Sequence, residues 1–304
     1  MAQISFEGRV AIVTGAGGGL GRAHALDLAA RGAKVVVNDL GGSIDGKGGG
    51  AAMADQVVKE IAAAGGEAVA NYDSVATPEG GKAIVRSALD AFGTVDILIN
   101  NAGNIRNAPF TDLTPEAIDA LLAVHVKGAF HVTQPAFAVM RDKGYGRIVF
   151  TSSAAGVFGN AEQANYAAAK GAVLGLANVV ALEGAPHGIK VNTILPAAES
   201  RMAAAMNPET LAGIPTTPAH GEPEMITAMA VYLASEDNPH THEAFSIARG
   251  RYARVFIGVT EGFHVPADAP VATADDIAAH IGTVRDQSGY HVPGSMVEEF
   301  ALVP

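Results

Sequence analysis

Cysteine is absent from the 304 residues, which excludes a disulfide framework, a thiolate metal site and a cysteine nucleophile. That usage fits a reducing compartment. Positive charge is scarce, with 20 Lys and Arg against 31 Asp and Glu and a formal net charge of -11. Broad affinity for nucleic acid or anionic membrane is opposed by this balance, because both require cations to neutralise phosphate. A local basic pocket stays compatible with it. Long apolar runs are lacking too. The longest, Gly171 to Leu182 between Lys170 and Glu183, falls short of the about 20 residues that a membrane-crossing helix requires. The N-terminus MAQISFEGRVAIVTG lacks the basic, apolar and small-residue succession of a signal peptide, so a cytoplasmic location is expected.

What is present is glycine, 36 residues or roughly one in eight against a usual share of about 7%. No collagen-like period accounts for it, so parts of this chain need backbone without side chains. The 49% hydrophobic content is ample for a core. β-Branched runs alternate with Ala-rich stretches of helical spacing, the pattern of βα units around a buried parallel sheet. Strands are predicted at Val10–Thr14, Lys34–Asn38, Ala68–Tyr72, Val95–Asn100, Gly146–Thr151 and Ile189–Ile194, with a seventh at Ala253–Val259. Helices are predicted near Leu20–Arg31, Ala52–Ala64, Pro78–Phe92, Pro115–Lys143, Asn165–Ala185 and Ala274–Arg285, and Pro135 is expected to kink or divide the fourth. The reading is an α/β, Rossmann-type doubly wound parallel sheet of about seven strands. No repeat or composition break marks a linker, so one domain over residues 1–304 is expected, with a core at 6–260 and a C-terminal extension at 261–304.

The run Thr14-Gly15-Ala16-Gly17-Gly18-Gly19-Leu20-Gly21 joins the first strand to the first helix. G-x-G-x-x-G read from Gly15 fails at Leu20, whereas T-G-x-x-x-G-x-G fits with Gly15, Gly19 and Gly21. Glycines here permit a tight turn and let a pyrophosphate approach helical N–H groups at the positive end of the macrodipole. This variant resembles that of the short-chain dehydrogenase/reductase family. Asp39 closes the second strand, where a carboxylate accepts hydrogen bonds from the adenosine ribose hydroxyls and repels a 2′-phosphate. No Arg or Lys stands at 16 to 18, so NAD is favoured over NADP; the alternative for Asp39 is a solvated loop acid. Asp73-Ser74-Val75 resembles the family's adenine-contacting turn and Asn101-Ala102-Gly103 its NAG motif. The resemblance adds Leu20 and Pro196 to the cofactor-binding set.

Gly41–Gly50 is read as a flexible insertion. Its Gly41-x4-Gly46-Lys47 spacing mimics a triphosphate loop, but Gly48 stands where Ser or Thr would hold magnesium. Pro196–Pro223, after the sixth strand, is read as a substrate lid or else a surface excursion.

Tyr166 and Lys170 lie four apart, on one helical face. A free phenol titrates at about 10, too high for a base at neutral pH, and a neighbouring ammonium together with oxidised nicotinamide would lower it. Ser153 lies thirteen residues before Tyr166, at the family's spacing for a serine that holds the substrate oxygen; Ser152 is the structural alternative. The family's helical Asn, in N-x-x-G, is replaced by His125 in His125-Val126-Lys127-Gly128. His125 is either structural or a proton relay through water to Lys170. His240-Thr241-His242-Glu243 lacks metal-ligand spacing and is read as a loop.

The segments VVVNDLGG, HVKGAF, YGRIVFTSSAAGVFGN and QANYAAAKGAVLGLAN resemble the dehydrogenase domains of peroxisomal multifunctional enzymes of type 2 and their bacterial stand-alone relatives. That group carries histidine at the position of His125. The resemblance implies oxidation of a (3R)-3-hydroxyacyl-CoA to a 3-oxoacyl-CoA with NAD, Tyr166, Ser153 and Lys170 forming the machinery, in a homodimer or homotetramer. It has two rivals, a 17β-hydroxysteroid or other secondary-alcohol dehydrogenase and a non-catalytic NAD-binding sensor or scaffold. Arg201, Arg249, Arg251 and Arg254 are candidate partners for CoA phosphates or else surface charges. Pro196-Ala197-Ala198-Glu199 departs from the group's Pro-Asn-Ala-Gly, and Leu302-Val303-Pro304 is no peroxisomal tripeptide.

Overall fold

The computed structural model describes residues 3–43, 45, 48–197 and 221–302. Arg201, Lys47 and most of the segment between Pro196 and Pro223 lie outside these described residues. The chain divides into two compact units, Met1–Arg254 and Val255–Pro304.

In the first unit, β1 (Val10–Thr14), β2 (Lys34–Asn38), β3 (Glu67–Asn71), β4 (Ile97–Asn100), β5 (Gly146–Thr151), β6 (Ile189–Ala197) and β7 (Glu243–Ala248) are followed by β8 (Arg251–Val255). They form one sheet in the order β3-β2-β1-β4-β5-β6-β7-β8. The pairings from β3 across to β7 are parallel. Arg249 and Gly250, at φ 51° and 85°, make the two-residue connection into β8. So short a turn, with positive φ at both positions, joins antiparallel strands.

Side chains alternate between two cores, as a period of two demands. Ala11 and Val13 of β1, Val35 and Val37 of β2, and Ile97 and Ile99 of β4 pack with α1 (Gly19–Ala30), α2 (Ala52–Ala63) and α8 (Pro223–Ala234). Val10, Ile12, Val36 and Leu98 point the other way, toward α3 (Pro78–Phe92), α5 (Gly128–Lys143) and α7 (Ala164–Gly184). Both faces are covered, so the strands read as continuous apolar runs. The strand order turns back between β1 and β4, and an open α/β sheet binds ligands beyond the carboxyl ends at such a point.

Three expectations differ from the structure. Among the described residues the sheet has eight strands where about seven were expected: β7 falls where no strand was expected, and the strand expected at Ala253–Val259 starts earlier, as β8. EAFSIA has few β-branched residues, and its strand state comes from pairing with β6, Thr193 beside Ala244. Helix α8 begins at Pro223, which the proline spacing placed in a loop; in the first turn its missing N–H costs nothing. Third, the helix beginning at Pro115 does not break at Pro135. α4 (Pro115–Leu121) gives way to a π turn at Leu122–Lys127, and α5 runs on with Pro135 inside it.

With its 3₁₀ turn, α7 spans Ala164–His187 and is by length and composition long and apolar enough to cross a membrane, more than the run Gly171–Leu182 suggested. Ala169, Lys170, Val173, Ala177 and Ala181 are buried along one side of it, the arrangement of a core helix. Short α6 (Ala154–Phe158) precedes it, with Ser153 as N-cap.

The second unit contains β9 (Val259–Thr260) antiparallel to β10 (Tyr290–His291), α9 (Ala274–Val284) and α10 (Met296–Phe300). A capping box between Thr273 and Asp276 starts α9, and Phe256 stacks on Tyr290 at 5.7 Å between centroids.

Candidate active site

At the carboxyl ends of β1, β2 and β4 lies a cavity of ≈ 210 Å³, lined by Gly15, Gly18, Gly19, Leu20, Asp39, Asp73, Ser74, Asn101, Ala102 and Gly103 among others. Most of the sequence-predicted cofactor residues thus converge; Gly21, Tyr166 and Lys170 are not among the residues lining this cavity, nor is Pro196, which sits on β6 in register with Ile247. Gly19 has φ 53° with none of the described residues within 4 Å of where a Cβ would stand, and it lines the groove. Gly21 is needed for close approach, since a Cβ there would lie 2.2 Å from the Gly15 carbonyl oxygen. Gly18, the N-cap of α1, has no side chain with which to cap the helix. The first-turn N–H groups therefore remain as donors for an anion.

Asn101 has a different part from a ligand. Its Nδ2 donates to the carbonyls of Thr14 at 2.9 Å and Gly15 at 3.1 Å, fixing the glycine turn from behind. Thr14 Oγ1 accepts in return from the N–H groups of Asn101 and Ala102. Asp39 accepts from Gly17 N at 2.8 Å through Oδ2 and from Gly41 N at 2.7 Å through Oδ1. Its carboxylate is thus oriented at the groove wall, with lone pairs left for ribose hydroxyls. A dinucleotide fits this donor and acceptor set: uncapped N–H groups for phosphate, and a carboxylate at the end of β2 for the ribose.

Ser153, Tyr166 and Lys170 come together at the ends of β5 and α7. Lys170 is 4% exposed and its Nζ donates to the Thr151 carbonyl at 2.6 Å. Nζ stands 5.7 Å from the centre of the Tyr166 ring. Burial pulls the Lys170 ammonium down to about 7. Burial also raises the Tyr166 phenol above its ordinary value, and the Ser153 hydroxyl opposes that rise. The lowering expected from Lys170 is not among the causes acting on the phenol, and a buried ammonium is itself hard to charge. Ser152 donates its Oγ–H to the Lys170 carbonyl at 2.8 Å, so it fixes the helix while Ser153 faces the phenol.

His125 lies in the π turn, edge-on to Tyr166, with ring centroids 5.5 Å apart. π Turns recur at functional sites because they re-aim one side chain. Nε2–H donates to the Asn104 carbonyl at 2.8 Å, a shorter contact than the 3.2 Å to Asn104 N, which assigns the proton to Nε2. Nδ1 is then buried with no partner among the described residues, as is Thr151 Oγ1. Both residues line, with Lys170, a cavity of ≈ 10 Å³, about the room one water requires. Burial, and then the Lys170 charge, lower the His125 imidazole to about 3, so it is neutral at physiological pH. Gly103 makes room for it, since a Cβ there would come within 2.6 Å of His125 Cε1.

Arg251 donates to Ser246 Oγ at 3.4 Å and Arg254 pairs with Glu243 at 3.3 Å, both within the β7–β8 edge. Supporting residues that motif reading passed over are Asn104, Thr151 and Asn165. Asn165 Nδ2 donates to the Arg106 carbonyl at 2.9 Å while its Oδ1 accepts from Tyr166 N at 2.8 Å. Their signal was adjacency, each directly beside a motif residue.

Residues 9–210 match the short chain dehydrogenase family. A short-chain type dehydrogenase/reductase of Mycobacterium tuberculosis is 43% identical over 94% of this chain and 97% of its own length. The peroxisomal multifunctional enzyme A of Dictyostelium discoideum is 45% identical over 90% of this chain but only 60% of its own length. The solved full-length peroxisomal multifunctional enzyme type 2 of Drosophila melanogaster superposes with a TM-score of 0.78 at 34% identity, over 98% of this chain and 49% of that one. The chain thus spans about half to three fifths of these multifunctional relatives.

Proposed function

The chain belongs to the short-chain dehydrogenase family, and from that premise we propose that it oxidises a (3R)-3-hydroxyacyl-CoA to the 3-oxoacyl-CoA with NAD, in β-oxidation of fatty acids or of a sterol side chain. The observation that carries the reading is the convergence of Ser153, Tyr166 and Lys170 in one buried corner at the carboxyl end of the sheet, the end at which the glycine-lined groove opens. The likeness to peroxisomal multifunctional enzymes supports the acyl-CoA substrate. Asp39 supports NAD, since a 2′-phosphate beside its carboxylate would meet like charge.

When bound, the oxidised dinucleotide supplies the hydride acceptor. Ser153 Oγ holds the substrate oxygen, and Tyr166 Oη takes the hydroxyl proton as the carbonyl forms. Lys170, whose Nζ stands 5.7 Å from the centre of the Tyr166 ring, would hold a ribose of the dinucleotide. The neutral His125 offers a bare Nδ1 to a water beside Lys170, which makes it an acceptor in the proton path rather than a titrating acid. Assembly as a homodimer or homotetramer is part of the proposal, supported by exposed Phe130 on α5 and Val179 and Leu182 on α7.

A panel of 3-hydroxyacyl-CoA esters, varied in chain length and configuration and read by nicotinamide absorbance with NAD and with NADP, tests this. Turnover of (3R) esters with NAD is expected. Faster oxidation of a free 17β-hydroxysteroid would replace the substrate, and NAD binding with no turnover on any alcohol would leave a sensor or scaffold.

A further inference from the structure

Two asparagines that no step of the proposed reaction uses close β2 and β3. Asn38 and Asn71 stand in register as neighbours in the sheet, and both are buried, at 2% and 6% exposure. A buried amide needs partners, and every hydrogen-bonding position on the Asn71 amide is filled. Its Oδ1 accepts from Asn38 Nδ2 at 2.8 Å and from the Asp73 N–H at 3.0 Å. Its Nδ2 donates to Asp73 Oδ2 at 2.8 Å and to Ser87 Oγ of α3 at 2.9 Å. Asn38 Nδ2 also donates to the Asp73 carbonyl, at 2.9 Å. Only one orientation of the Asn71 amide satisfies this set. Turned over, it would put its oxygen against the Asp73 carboxylate and its N–H groups against those of Asn38 and the Asp73 main chain.

The network ends at the groove. Asp73 lines the cavity together with the apolar side chains of Leu40, Met53 and Val75, which suit a flat base. Asp39, at the end of β2, lines it as well, and its N–H donates to the Asn71 carbonyl at 3.0 Å. Residue 71 therefore anchors both carboxylates, Asp39 through its main chain and Asp73 through its side chain. A ribose at Asp39 leaves the β3 side of the cavity, with Asp73, to the attached base. A carboxylate only accepts hydrogen bonds. One Asp73 oxygen is taken by Asn71, and the other, Oδ1, has no partner among the described residues.

We propose that Asn71 is a positioning residue that sets the base specificity of the groove: by fixing the Asp73 carboxylate, it makes the site read the 6-amino group of adenine and refuse a 6-oxo purine. The inference rests on the dinucleotide reading of the groove. A carboxylate by itself does not separate the two bases, because hypoxanthine carries a donor at N1 beside its 6-oxygen, and a carboxylate free to turn would find it. Held from behind by Asn71, Asp73 keeps its free oxygen in one place. A 6-amino group donates there, whereas a 6-oxygen meets like charge, and a site built around such a hydrogen bond rejects the analogue that lacks the donor.

The test is equilibrium binding to the full chain, by fluorescence titration, of NADH and of its analogue with hypoxanthine in place of adenine. The wild type is expected to prefer NADH by about tenfold or more, the effect of one hydrogen bond to a charged group. Asn71→Leu, similar in volume, is expected to lose most of that preference, with urea unfolding giving the folded fraction of the variant. A merely structural asparagine would weaken both dinucleotides alike, so a preference kept in folded Asn71→Leu overturns the proposal. Asp73→Asn is the second variant, and it stands even where Asn71→Leu fails to fold. Asn71 Nδ2 still donates to the inner oxygen at position 73, so the new amide turns its N–H groups to the groove, and the preference is expected to invert toward the 6-oxo base. Combined with Asn71→Leu, the same change is expected to give no inversion, since the two residues act as one device. Asp73→Asn that still favours adenine overturns the proposal, as does a wild type that binds NADH and its analogue equally. No binding of either dinucleotide by the wild type overturns the functional reading and the proposal with it.

Discussion

Tyr166 and Lys170 occupy a corner where either charge is costly, and that cost makes the pair responsive to what binds beside it. Burial lifts the phenol and lowers the ammonium to about 7, while Ser153 alone of the contributing neighbours favours the phenolate. Tyr166→Phe removes the atom that receives the proton, so turnover should fall by about 10²- to 10⁴-fold or more while NAD binding is kept. Ser153→Ala should move the rising alkaline limb of kcat/KM to higher pH, because the hydroxyl that lowers the phenol is gone; an unmoved limb would mean that Ser153 acts on the substrate oxygen only. A third residue, His24 on α1, was not legible in GRAHAL, where it looks like any polar helix position. It is fully buried and its Nδ1 meets Thr227 Oγ1 of α8 at 2.8 Å. Burial lowers it from 6.5 to about 4. Between those values the unfolded chain binds a proton that the folded chain refuses, so stability is lost as pH falls through that window, by roughly 3 kcal/mol. Urea unfolding at several pH values should show this slope in the wild type and a shallower one in His24→Leu. Parallel slopes would place the acid sensitivity elsewhere.

At the scale of elements, what could be read in advance was what repeats. β1, β2 and β5 have the predicted bounds because their β-branched runs end at glycine, aspartate or serine signals, and α1 and α3 follow from glycine or Thr-Pro starts. The elements that escaped are those set by neighbours: β7 by the register of β6, and α8 by packing against α1. The π turn holding His125 escaped for a related reason, since one extra residue in a helical turn changes no composition. Pro135 shows how a local rule is met by tertiary structure. It leaves the His131 carbonyl without its helical donor, and α5 stays continuous with α3 packed beside it. Gly81 of α3 lies against that carbonyl, where a Cβ would come within 2.3 Å. Gly81→Ala gains about 1 kcal/mol of helix propensity but must push two helix backbones apart, which costs about 1–3 kcal/mol and more when neither side can yield. A net loss of about 1–2 kcal/mol in urea unfolding is expected. A gain would mean that α3 slides freely on α5.

Over the whole first unit, the two ends of the sheet carry different loads. The carboxyl ends hold the groove and the catalytic corner, and their motifs were readable because glycine turns and the Tyr-Lys spacing have narrow chemical uses. The opposite end carries a charge cluster that no motif announces, since its members are scattered from position 9 to position 236. Asp96, with no exposure, accepts from Val10 N at 2.9 Å, from Arg9 at 3.2 Å and from Lys143. Arg9 and Arg147 stand 3.9 and 4.4 Å from the centre of the Tyr145 ring, and Arg9 also pairs with Glu236. One carboxylate therefore joins β1, the entry to β4 and the end of α5. Asp96→Asn keeps the volume and part of the hydrogen bonding but takes the carboxylate away from Lys143 and leaves Arg9 with Glu236 alone. Removing one partner of a fully buried pair costs about 3–5 kcal/mol; the cations left here are 26% and 35% exposed, so the loss is smaller, yet still a real share of the about 5–15 kcal/mol that holds a domain folded. The variant should thus melt at markedly lower temperature, while below that temperature its kcat and its Michaelis constants stay near wild type, because no part of the cluster reaches the groove. Circular dichroism melting and kinetics on the same sample check both halves. A fall in kcat beyond the unfolded fraction would show that strain at this end of the sheet is transmitted along β4 to Asn101 and the glycine turn it holds.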